Sequence, residues 1–330
     1  MSTATTPPLQ IVQGSVAAQA HARMVAAIPA TQRCDYEYAT PFEILHFDTD
    51  LRDAGVPIRR WILGDAKDPL ATAFCFRATW NTPRHTFWGH VRVRPDAMGQ
   101  GYGTTLVHAI EQWAATAGAQ AVRVMAHPEP HHSTFLAKAG YTHIGTEQVY
   151  SLAIADAQIP SRPDAADIRI LTLADYMRRE PDAIEQACML HAAISLDVPM
   201  PDEPVVTLSK FRRLLGEEVD PKCFLLAVSG DMLVGESILM ESENEAGVMW
   251  QHATGVLPAF RGLGIATSLK REAVRLAQTL HTRELKTWME TSNAAIVRIN
   301  QEFGFTKFVG EGTTIHIYEH RIKHGVGNRY

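Results

Sequence analysis

The sequence predicts an α+β sandwich made of two similar domains, each with a mixed, mostly antiparallel sheet flanked by helices. The chain has 330 residues, a length that suits two ordinary cores better than one. A glycine turn occurs twice at a constant offset of 163 residues, which relates Gly99 to Gly262 (262 − 99) and Gly101 to Gly264 (264 − 101). Each copy follows a strand-like segment and opens a helical one, so both halves share one order of elements.

Apolar segments ahead of the first glycine turn predict three strands. They are Trp61–Leu63, Ala71–Ala78 and Trp88–Val93. After the turn, Leu106, Ile110 and Trp113 recur at i, i+4 and i+7, which predicts a helix with one buried stripe that ends at Gly118. The apolar segment Val122–Met125 then resumes as a strand. Because a strand, a helix and a strand follow one another here, we expect neighbouring parallel strands.

The second half repeats this order after two predicted helices. Thr172, with Asp175 three residues later, resembles a helix N-cap, and a further helix is expected over 208–215. Three strands are then expected, at Phe224–Val228, Leu233–Met240 and Val248–Leu257, with a hairpin turn between the first two. The next helix carries the apolar stripe Leu269, Ala273, Leu276 and Leu280, and a strand at Leu285–Met289 closes this half.

A proline-containing segment separates the halves. Residues 157–167 include Pro160 and Pro163 and have the composition of a linker. We therefore expect a first domain over 1–156 and a second over 168–330, so that each domain holds one glycine turn.

Bulk composition argues against several classes of protein. The net charge is −5 and only 20% of the residues are charged, so no basic surface for nucleic acid is expected. The N-terminal segment lacks the basic and apolar regions of a signal peptide, and no apolar segment is long enough to span a bilayer. These features predict a cytoplasmic protein without a membrane partner. The four cysteines (Cys34, Cys75, Cys188 and Cys223) are widely separated, which predicts reduced thiols.

His127, His131 and His132 lie close together in the sequence, as the ligands of a metal ion often do. Pro128 and Pro130 interrupt this segment, so the histidines do not share a helical face as in a His-x-x-x-His zinc motif. No partner acid is evident either. We expect a solvated loop here and no bound metal.

Each glycine turn places unpaired backbone N–H groups at a helix N-terminus, a position that attracts phosphate. A phosphate loop of the nucleoside triphosphatase kind needs Lys followed by Ser or Thr after the last glycine, and neither copy has this pair. A dinucleotide-binding turn needs a third glycine where the chain has Thr104 and Thr267. Both alternatives therefore fail on a required residue.

The second copy matches another pattern over a longer segment. A strand ends in Val256-Leu257-Pro258 and is followed by Arg261-Gly262-Leu263-Gly264-Ile265-Ala266 at the start of an amphipathic helix. This order resembles the acyl-coenzyme A site of the GNAT superfamily of N-acyltransferases, and the repeat makes the chain similar to a tandem protein with two GNAT-like domains. Similarity to one subgroup continues through Thr287, Asn293, Asn300, Gly304 and Phe305, although Met289 stands where that subgroup has asparagine.

The resemblance implies a coenzyme A site in the second domain. Backbone amides of the turn would hold the pyrophosphate, and the strand edge near Val256 and Leu257 would pair with the pantetheine amides like an added strand. The implied residues are Val256, Leu257, Arg261, Gly262, Leu263, Gly264, Ile265, Ala266, Thr267, Asn293 and Asn300. The corresponding residues of the first domain are Gly99, Gln100, Gly101, Tyr102 and Gly103, with Met98 in place of the arginine.

Acyl transfer from a thioester to an amine needs a base more than an acid, because a thiol with a pKa near ~8.5 leaves readily as thiolate. Many GNAT enzymes carry a carboxylate base four residues before the valine of Val-x-Pro. Here that position holds His252, whose imidazole titrates near neutrality, and a merely packed or exposed histidine is the alternative reading. Glu236 and Glu290 are reserve candidates. Asn300 replaces the tyrosine acid of family members, and it either donates a hydrogen bond to the thiolate or packs its helix.

The first domain lacks these groups, since Met98, Gly89 and Leu136 occupy the positions of the arginine, the base and the tyrosine. We therefore expect it to be a scaffold or to bind coenzyme A without turnover. The second domain is expected to move an acetyl group from acetyl-CoA, without a metal, to an amine of a small molecule or peptide by direct attack on the thioester. A monomer or a homodimer is expected. The alternative is a non-catalytic acyl-CoA-binding or protein-interaction module with both domains degenerate.

Overall fold

The computed structural model describes residues 7–28, 40–77, 85–161, 167–196, 206–242, 245–309 and 313–322. The chain divides into two compact units, one formed by residues 1–146 with 310–330 and the other by residues 147–309. Each unit is a mixed, mostly antiparallel sheet flanked by helices, which confirms the fold class that the sequence predicts.

The first unit begins with a short strand and two helices. The elements before its glycine turn are β1 (Leu9–Val12), α1 (Gly14–Ala27), α2 (Pro41–Asp53), β2 (Ile58–Asp65), β3 (Asp68–Arg77) and β4 (Thr86–Val93). The elements after the turn are α3 (Tyr102–Thr116), β5 (Ala121–Ala126) and α4 (Pro130–Lys138). The sheet order is β1-β2-β3-β4-β5, and a strand from the end of the chain, β13 (Thr314–Arg321), lies beside β5. β4 and β5 are parallel, as the sequence predicts.

The second unit repeats this arrangement. Its elements up to the second glycine turn are β6 (Thr142–Ala153), of which residues 147–153 belong to this unit, β7 (Ile168–Thr172), α5 (Leu173–Met177), α6 (Ala183–Ser195), α7 (Leu208–Glu217), β8 (Phe224–Ser229), β9 (Met232–Glu241) and β10 (Val248–Val256). They are followed by α8 (Ile265–Thr279), β11 (Glu284–Glu290), α9 (Ala294–Glu302) and β12 (Thr306–Lys307). The sheet order is β7-β8-β9-β10-β11-β6, with β10 and β11 parallel.

The last strand of each sheet comes from the other half of the sequence. β6 pairs with β11 from Glu147 opposite Glu290 to Ala153 opposite Glu284, while β13 pairs with β5. The division therefore differs from the expected domains at 1–156 and 168–330. A sequence repeat shows which elements recur, but it does not show which copy of a strand completes which sheet. Of the expected linker, residues 157–161 belong to no helix or strand, and residues 162–166 lie outside the described ones.

Helices cover both faces of the second sheet. Buried residues of α8 cover one of them, where Met249 and Val256 of β10 join the core. Helices α5, α6 and α7 cover the opposite one, where Ala253 and Leu257 pack against them. We call these the α8 face and the α6 face. Leu280, expected in the buried stripe, is 46% exposed because α8 ends at Thr279.

The segment around the three clustered histidines differs from the expected loop. Residues 130–138 form helix α4 because Pro130 occupies its first turn, where proline is favoured. His131 and His132 lie on this helix, and His127 is buried just ahead of it. In the part of the chain that the structure describes, no group of three His, Cys, Asp or Glu residues is placed to hold a metal ion.

The sequence also predicts reduced cysteines, no segment that spans a bilayer, and a strand that ends at Ala78. Cys75, Cys188 and Cys223 are unbridged and buried, whereas Cys34 lies outside the described residues. Within the described ranges, no helix combines the length and the apolar composition that crossing a bilayer requires. The strand expected to reach Ala78 is described as far as Arg77, and Ala78 itself lies outside the described residues.

Candidate active site

Both glycine turns adopt the same backbone conformation. Gly99 and Gly101 have φ values of +77° and +84°, and Gly262 and Gly264 have values of +78° and +83°. These angles lie in the left-handed region, which glycine occupies without steric cost. A Cβ placed on any of the four would meet no atom within 4 Å. The space over each turn is therefore open to a ligand.

The second turn leads directly into α8, whose N-cap is Gly264. The amide of Ser268 donates to the carbonyl of Gly264 (3.0 Å), so the amides ahead of Ser268 have no acceptor four residues earlier in the helix. These N–H groups and the helix dipole together favour an anion. Nε of Arg261 donates to the carbonyl of Val256 (3.0 Å), which ties the turn to the end of β10.

β10 separates from its parallel neighbour partway along its length. Its pairing with β11 covers Val248 to Trp250, whereas its pairing with β9 continues to Val256. In the described sheet, the edge of β10 that faces β11 is therefore unpaired beyond Trp250, apart from the carbonyl of Gln251, which accepts from the hydroxyl of Thr287 (2.9 Å). This edge has the geometry that an extended chain with amide groups needs to add as a strand.

A β-bulge places His252 beside α6. Gln251 pairs with Leu239 and Ala253 pairs with Ile238, so His252 is an extra residue on β10. In a regular strand, residues 251 and 253 would point to the same face. Here Gln251 contacts Lys270 on the α8 face and Ala253 packs on the α6 face, so the bulge shifts the alternation of side chains between the faces by one residue. His252 is exposed to solvent, yet desolvation by the surrounding protein and the charge of His191 lower its pKa. The ring is accessible and neutral at pH 7.

Glu236 and His191 lie on the same face. Glu236 stands opposite Gly255 in the pairing of β9 with β10 and is fully buried. Its Oε1 accepts a hydrogen bond from Nδ1 of His191 on α6 (2.7 Å). Burial alone would lower the pKa of His191, but the hydrogen bond and the charge of Glu236 outweigh it and raise that pKa. No donor among the described residues hydrogen-bonds to Oε2 of Glu236.

Gly255 explains how α6 comes so close to β10. A Cβ at this position would overlap Cγ2 of Ile194, which lies one turn from His191 on the same helix. The ring of Phe211 on α7 packs against His191 with 5.6 Å between ring centroids. A glycine in the strand and the i, i+3 spacing in the helix therefore hold His191 over Glu236.

A buried polar chain supports the same strand from the α8 face. Nζ of Lys270 hydrogen-bonds to Oε1 of Gln251, and Nε2 of Gln251 donates to the hydroxyls of Ser237 (2.7 Å) and Thr254 (2.8 Å). Burial lowers the pKa of Lys270 to about 7. Its ammonium lies 4.6 Å from the ring centroid of Phe305. These contacts hold the backbone of β10 on both sides of the bulge.

Three further predicted residues, Asn293, Asn300 and Glu290, make hydrogen bonds within the second unit. Asn293 caps α9, since its side chain accepts from the amide of Ile296 (3.4 Å). Asn300 is buried and its Nδ2 donates to the sulfur of Met289 (2.7 Å). Glu290 accepts from the amide of Ser292 (2.8 Å) where β11 ends. The contact of Asn300 with Met289 supports the packing alternative for this asparagine.

The first unit differs at the matching position. β4 pairs with β3 in continuous register, so Gly89 faces α3, where a Cβ would lie 3.3 Å from Cγ2 of Ile110. The imidazole directed to the other face is that of His90, which stacks on Phe74 with 4.4 Å between ring centroids. Burial lowers the pKa of His90 to about 3, which makes this ring a weak base. Gly89 has no side chain to act as a base, and the packing of α3 against it leaves little room for one.

A cavity of about 660 Å³ opens beside the first turn. Its lining includes Gly99, Gly101, Tyr102, Met125 and Phe135. Ligand sites commonly measure roughly 300–1,000 Å³, so the first unit has room for a substantial ligand. His127, His131 and His132 also line this cavity.

The sequence gives no motif for His191. It reaches Glu236 only because α6 crosses β9 and β10, a contact that depends on the folded sheet. The one local signal is Gly255, because a glycine within a strand often marks the close approach of another element.

The chain is similar in sequence to known acetyltransferases. The family model described as Acetyltransferase (GNAT) family matches residues 25–141 and 190–305, which together exceed half of the chain. The mycothiol acetyltransferase of Nocardiopsis dassonvillei is 23% identical over 237 residues, which cover 66% of this chain and 70% of that protein.

Solved structures share the fold along nearly the whole chain. A GCN5-related N-acetyltransferase from Sphaerobacter thermophilus has a TM-score of 0.67 at 20% identity, with 98% of each chain covered. A tandem GNAT protein from the clavulanic acid biosynthesis pathway has a TM-score of 0.65 at 14% identity, covering 96% of this chain and all (100%) of that one. At these identities the likeness is one of fold.

Proposed function

The chain belongs to the GNAT family of acetyltransferases, and we propose that its second unit transfers an acetyl group from acetyl-CoA to an amine of a small molecule or peptide. The observation that carries this proposal is the order of three features along β10 and the turn after it. They are the bulge with an accessible imidazole, the open strand edge and the glycine turn at the helix N-terminus.

In this proposal the glycine turn binds the pyrophosphate of the acyl donor. The backbone amides from Gly262 to Thr267 supply hydrogen bonds, Arg261 adds positive charge at the entrance, and the open φ > 0 glycines let the phosphates approach the backbone. The edge of β10 through Val256 and Leu257 pairs with the pantetheine amides. The thioester end is then directed along β10 toward His252.

His252 acts as the proposed base. Its ring is neutral at pH 7, so it accepts a proton from the substrate ammonium directly or through water. The amine nitrogen forms a bond to the thioester carbonyl carbon while the C–S bond breaks, and the thiolate leaves without strong acid help. Asn300 has no proton-transfer role in this scheme because its amide cannot act as an acid at neutral pH.

We assign the first unit to binding without turnover. Its turn has the same backbone angles as the second one and opens beside a cavity of about 660 Å³. Both features support coenzyme A binding more than a purely structural role. Gly89 and the stacked, weakly basic His90 leave the strand position that His252 holds in the second unit without an effective base.

A thiol-release assay with the purified protein, acetyl-CoA and an amine library tests the activity, and calorimetry with coenzyme A tests binding. Acceptor-dependent thiol release that is lost in His252→Gln supports the proposal. Coenzyme A uptake without thiol release for any amine supports the alternative, a non-catalytic acyl-CoA-binding or interaction module. No uptake of coenzyme A would refute both.

A further inference from the structure

The cavity beside the first glycine turn extends into the sheet of the first unit. In the described sheet, the parallel pairing of β4 with β5 runs from Thr86 to Gly89, and the two strands are unpaired beyond Gly89. Residues from both faces of the sheet line the cavity. Val91 and Phe135 belong to the core on the α3 face, whereas Met125 packs on the opposite face. The cavity therefore connects the turn with the far side of the sheet through the gap between β4 and β5.

Basic side chains interrupt the apolar lining of this cavity. Arg92 comes from β4, and three histidines come from the end of β5 and the first turn of α4, namely His127, His131 and His132. Burial is the main cause that lowers the pKa of His132, and the charges of His131, His127 and Arg92 lower it further, so the four groups lie close to one another. The described residues that line the cavity include neither aspartate nor glutamate. An anionic group is therefore favoured there.

The arginine distinguishes the first unit from the second. The offset of 163 residues matches Arg92 to Gly255 (255 − 92), where a Cβ would overlap Ile194 of α6. The first unit instead places a guanidinium beside open space. Nη1 of Arg92 donates to the carbonyl of Val91 (3.2 Å), which holds the side chain near the strand. A guanidinium has five N–H groups in one plane, an arrangement that matches a carboxylate.

The position of Arg92 relative to the turn indicates which part of a thioester it meets. In the binding mode proposed above, the pyrophosphate lies at the turn and the pantetheine follows the strand, so the acyl end enters the gap beyond Gly89. Val91 and Val93 face α3, so the side chain of Arg92 leaves β4 on the other face. Ile28, which caps α1, lines the cavity as well. The cavity thus offers apolar walls and a basic end to the acyl group.

We infer that the cavity of the first unit binds a coenzyme A thioester whose acyl chain ends in a carboxylate, and that Arg92 and His132 hold this carboxylate. A few methylene groups suit the apolar walls, and the terminal carboxylate suits the basic end. This inference rests on the proposed function, because it names the acyl class of the thioester that the first unit is proposed to bind without turnover. The two units then bind different thioesters.

The tautomer of His132 suits this role. Its Nδ1 lies 3.2 Å from the carbonyl oxygen of His127, and because a carbonyl only accepts hydrogen bonds, Nδ1 carries the hydrogen. Nε2 is then the nitrogen that is left for a ligand. Without an anion the ring is neutral at pH 7, since its pKa is lowered. A carboxylate beside the ring favours the imidazolium, so binding should raise the pKa of His132 and let Nε2 donate to the ligand.

Two stable analogues test the inference in the whole protein. They are the S-carboxypropyl and S-butyl thioethers of coenzyme A, which have chains of equal length and differ in the terminal carboxylate. Neither can transfer an acyl group, so the second unit cannot consume them. Histidine NMR with labelled ring carbons reports on the first unit through His131 and His132, whose signals are assigned with His131→Gln and His132→Gln. We expect both thioethers to shift these signals and only the S-carboxypropyl compound to raise the pKa of His132.

Unmodified coenzyme A and its dephospho form separate the acyl carboxylate from the phosphates. Both lack a carboxylate, and only coenzyme A carries the phosphate on the ribose. We expect neither to raise the pKa of His132. A rise with coenzyme A as large as that with the S-carboxypropyl thioether would assign the basic groups to the nucleotide and overturn the inference.

Variants test the contribution of the guanidinium. Arg92→Met should weaken binding of the S-carboxypropyl thioether by roughly 10- to 100-fold, as expected for loss of a charged hydrogen bond, with little change for the S-butyl thioether. Retained S-butyl binding also shows that the variant is folded. Lys138→Met removes the same charge from the exposed end of α4, outside the cavity lining, and should leave both affinities unchanged. Equal losses for both thioethers in Arg92→Met would overturn the carboxylate site.

This inference and the proposed function fail in different ways. Equal affinity of the wild-type protein for the two thioethers, with no rise in the pKa of His132, would refute the carboxylate site and leave coenzyme A binding by the first unit standing. If no coenzyme A compound shifted His131 or His132, the proposed binding by the first unit would itself be refuted, and the inference with it. Acetyl transfer by the second unit is measured separately, by thiol release.

Discussion

Nδ1 of His191 donates a hydrogen bond to Oε1 of Glu236 over 2.7 Å, which joins helix α6 to strand β9. Because a carboxylate only accepts, the proton of a neutral His191 ring lies on Nδ1 and its Nε2 is the free acceptor. The contact with Glu236 thus raises the pKa of His191, while burial, and to a smaller extent the charge of His191, lower the pKa of His252.

His252→Gln should lower kcat by roughly 10²–10⁴-fold, the usual contribution of a positioned base. Since the pKa of His252 is lowered from 6.5, the wild-type kcat/KM for the amine should fall with decreasing pH only below that value. The variant should lose this acidic limb. The measurement is a rate profile between pH 5 and 9, with His281→Asn, an exposed histidine with φ +55°, as control. An unchanged acidic limb in His252→Gln would exclude His252 as the base.

His191→Leu should destabilise the protein more at low pH than at high pH. The folded pKa of His191 is raised above its unfolded value near ~6.5, so its contribution to stability is fully present below that value and is lost as the pH rises through the folded pKa. Breaking a buried ion pair costs about 3–5 kcal/mol, and we expect this range at pH 5.5. Urea unfolding at pH 5.5 and 9 measures the difference. Equal losses at both pH values would show that the pair is not ionised.

The glycine turns illustrate what the sequence predicts well. Their φ values, the strand before them and the helix after them follow from local chemistry, because glycine alone adopts φ near +80° freely and helices show their period in the sequence. The same holds for the cap at Thr172, whose hydroxyl accepts from the amide of Asp175 (3.0 Å). Each of these features depends on residues within one or two turns of one another.

Non-local features escaped prediction. The offset of 163 residues matches His252 to Gly89, but the bulge in β10 directs the two positions to opposite faces of their sheets. His252 and Gly89 lie the same number of residues ahead of their glycine turns, so counting along the sequence cannot show that only one of the two strands contains a bulge. The exchange of β6 and β13 between the sheets and the approach of His191 to Glu236 depend in the same way on pairings between distant segments.

Arg261→Ala and Met98→Ala should affect acetyl transfer unequally. Loss of the Arg261 guanidinium removes a charged hydrogen-bond donor at the second turn, which corresponds to about 1.5–3 kcal/mol and therefore to a KM for acetyl-CoA that is roughly 10- to 100-fold higher. Met98 occupies the same position in the first turn, where it is 46% exposed and uncharged. Steady-state kinetics of both variants should show a loss in Arg261→Ala alone. Equal losses would contradict the assignment of turnover to the second unit.

Gly264→Ala should separate ligand binding from backbone strain. Gly264 has φ +83° and Gly230, in the hairpin between β8 and β9, has φ +57°, and an added Cβ meets no atom within 4 Å at either position. Alanine at each site should therefore reduce the free energy of unfolding by a similar amount, about 1–2 kcal/mol. Only Gly264→Ala should also weaken coenzyme A binding in calorimetry, because its Cβ projects into the space over the turn. Equal binding by the two variants would argue against a phosphate site there.

Lys270→Met should change the pH dependence of stability. The unfolded lysine binds a proton below a pKa near ~10.4, whereas burial lowers the pKa of Lys270 in the folded protein to about 7. Between these values the unfolded state holds more protons, so this group makes wild-type stability rise with pH, and methionine removes that slope. Relative to wild type, Lys270→Met should therefore become more stable as the pH falls from 10 to 7. Urea unfolding at three pH values measures this, with the exposed Lys222→Met as control. Parallel curves for Lys270→Met and wild type would mean that Lys270 stays charged in the fold, and its hydrogen bond to Gln251 would then come from an ammonium instead of a neutral amine.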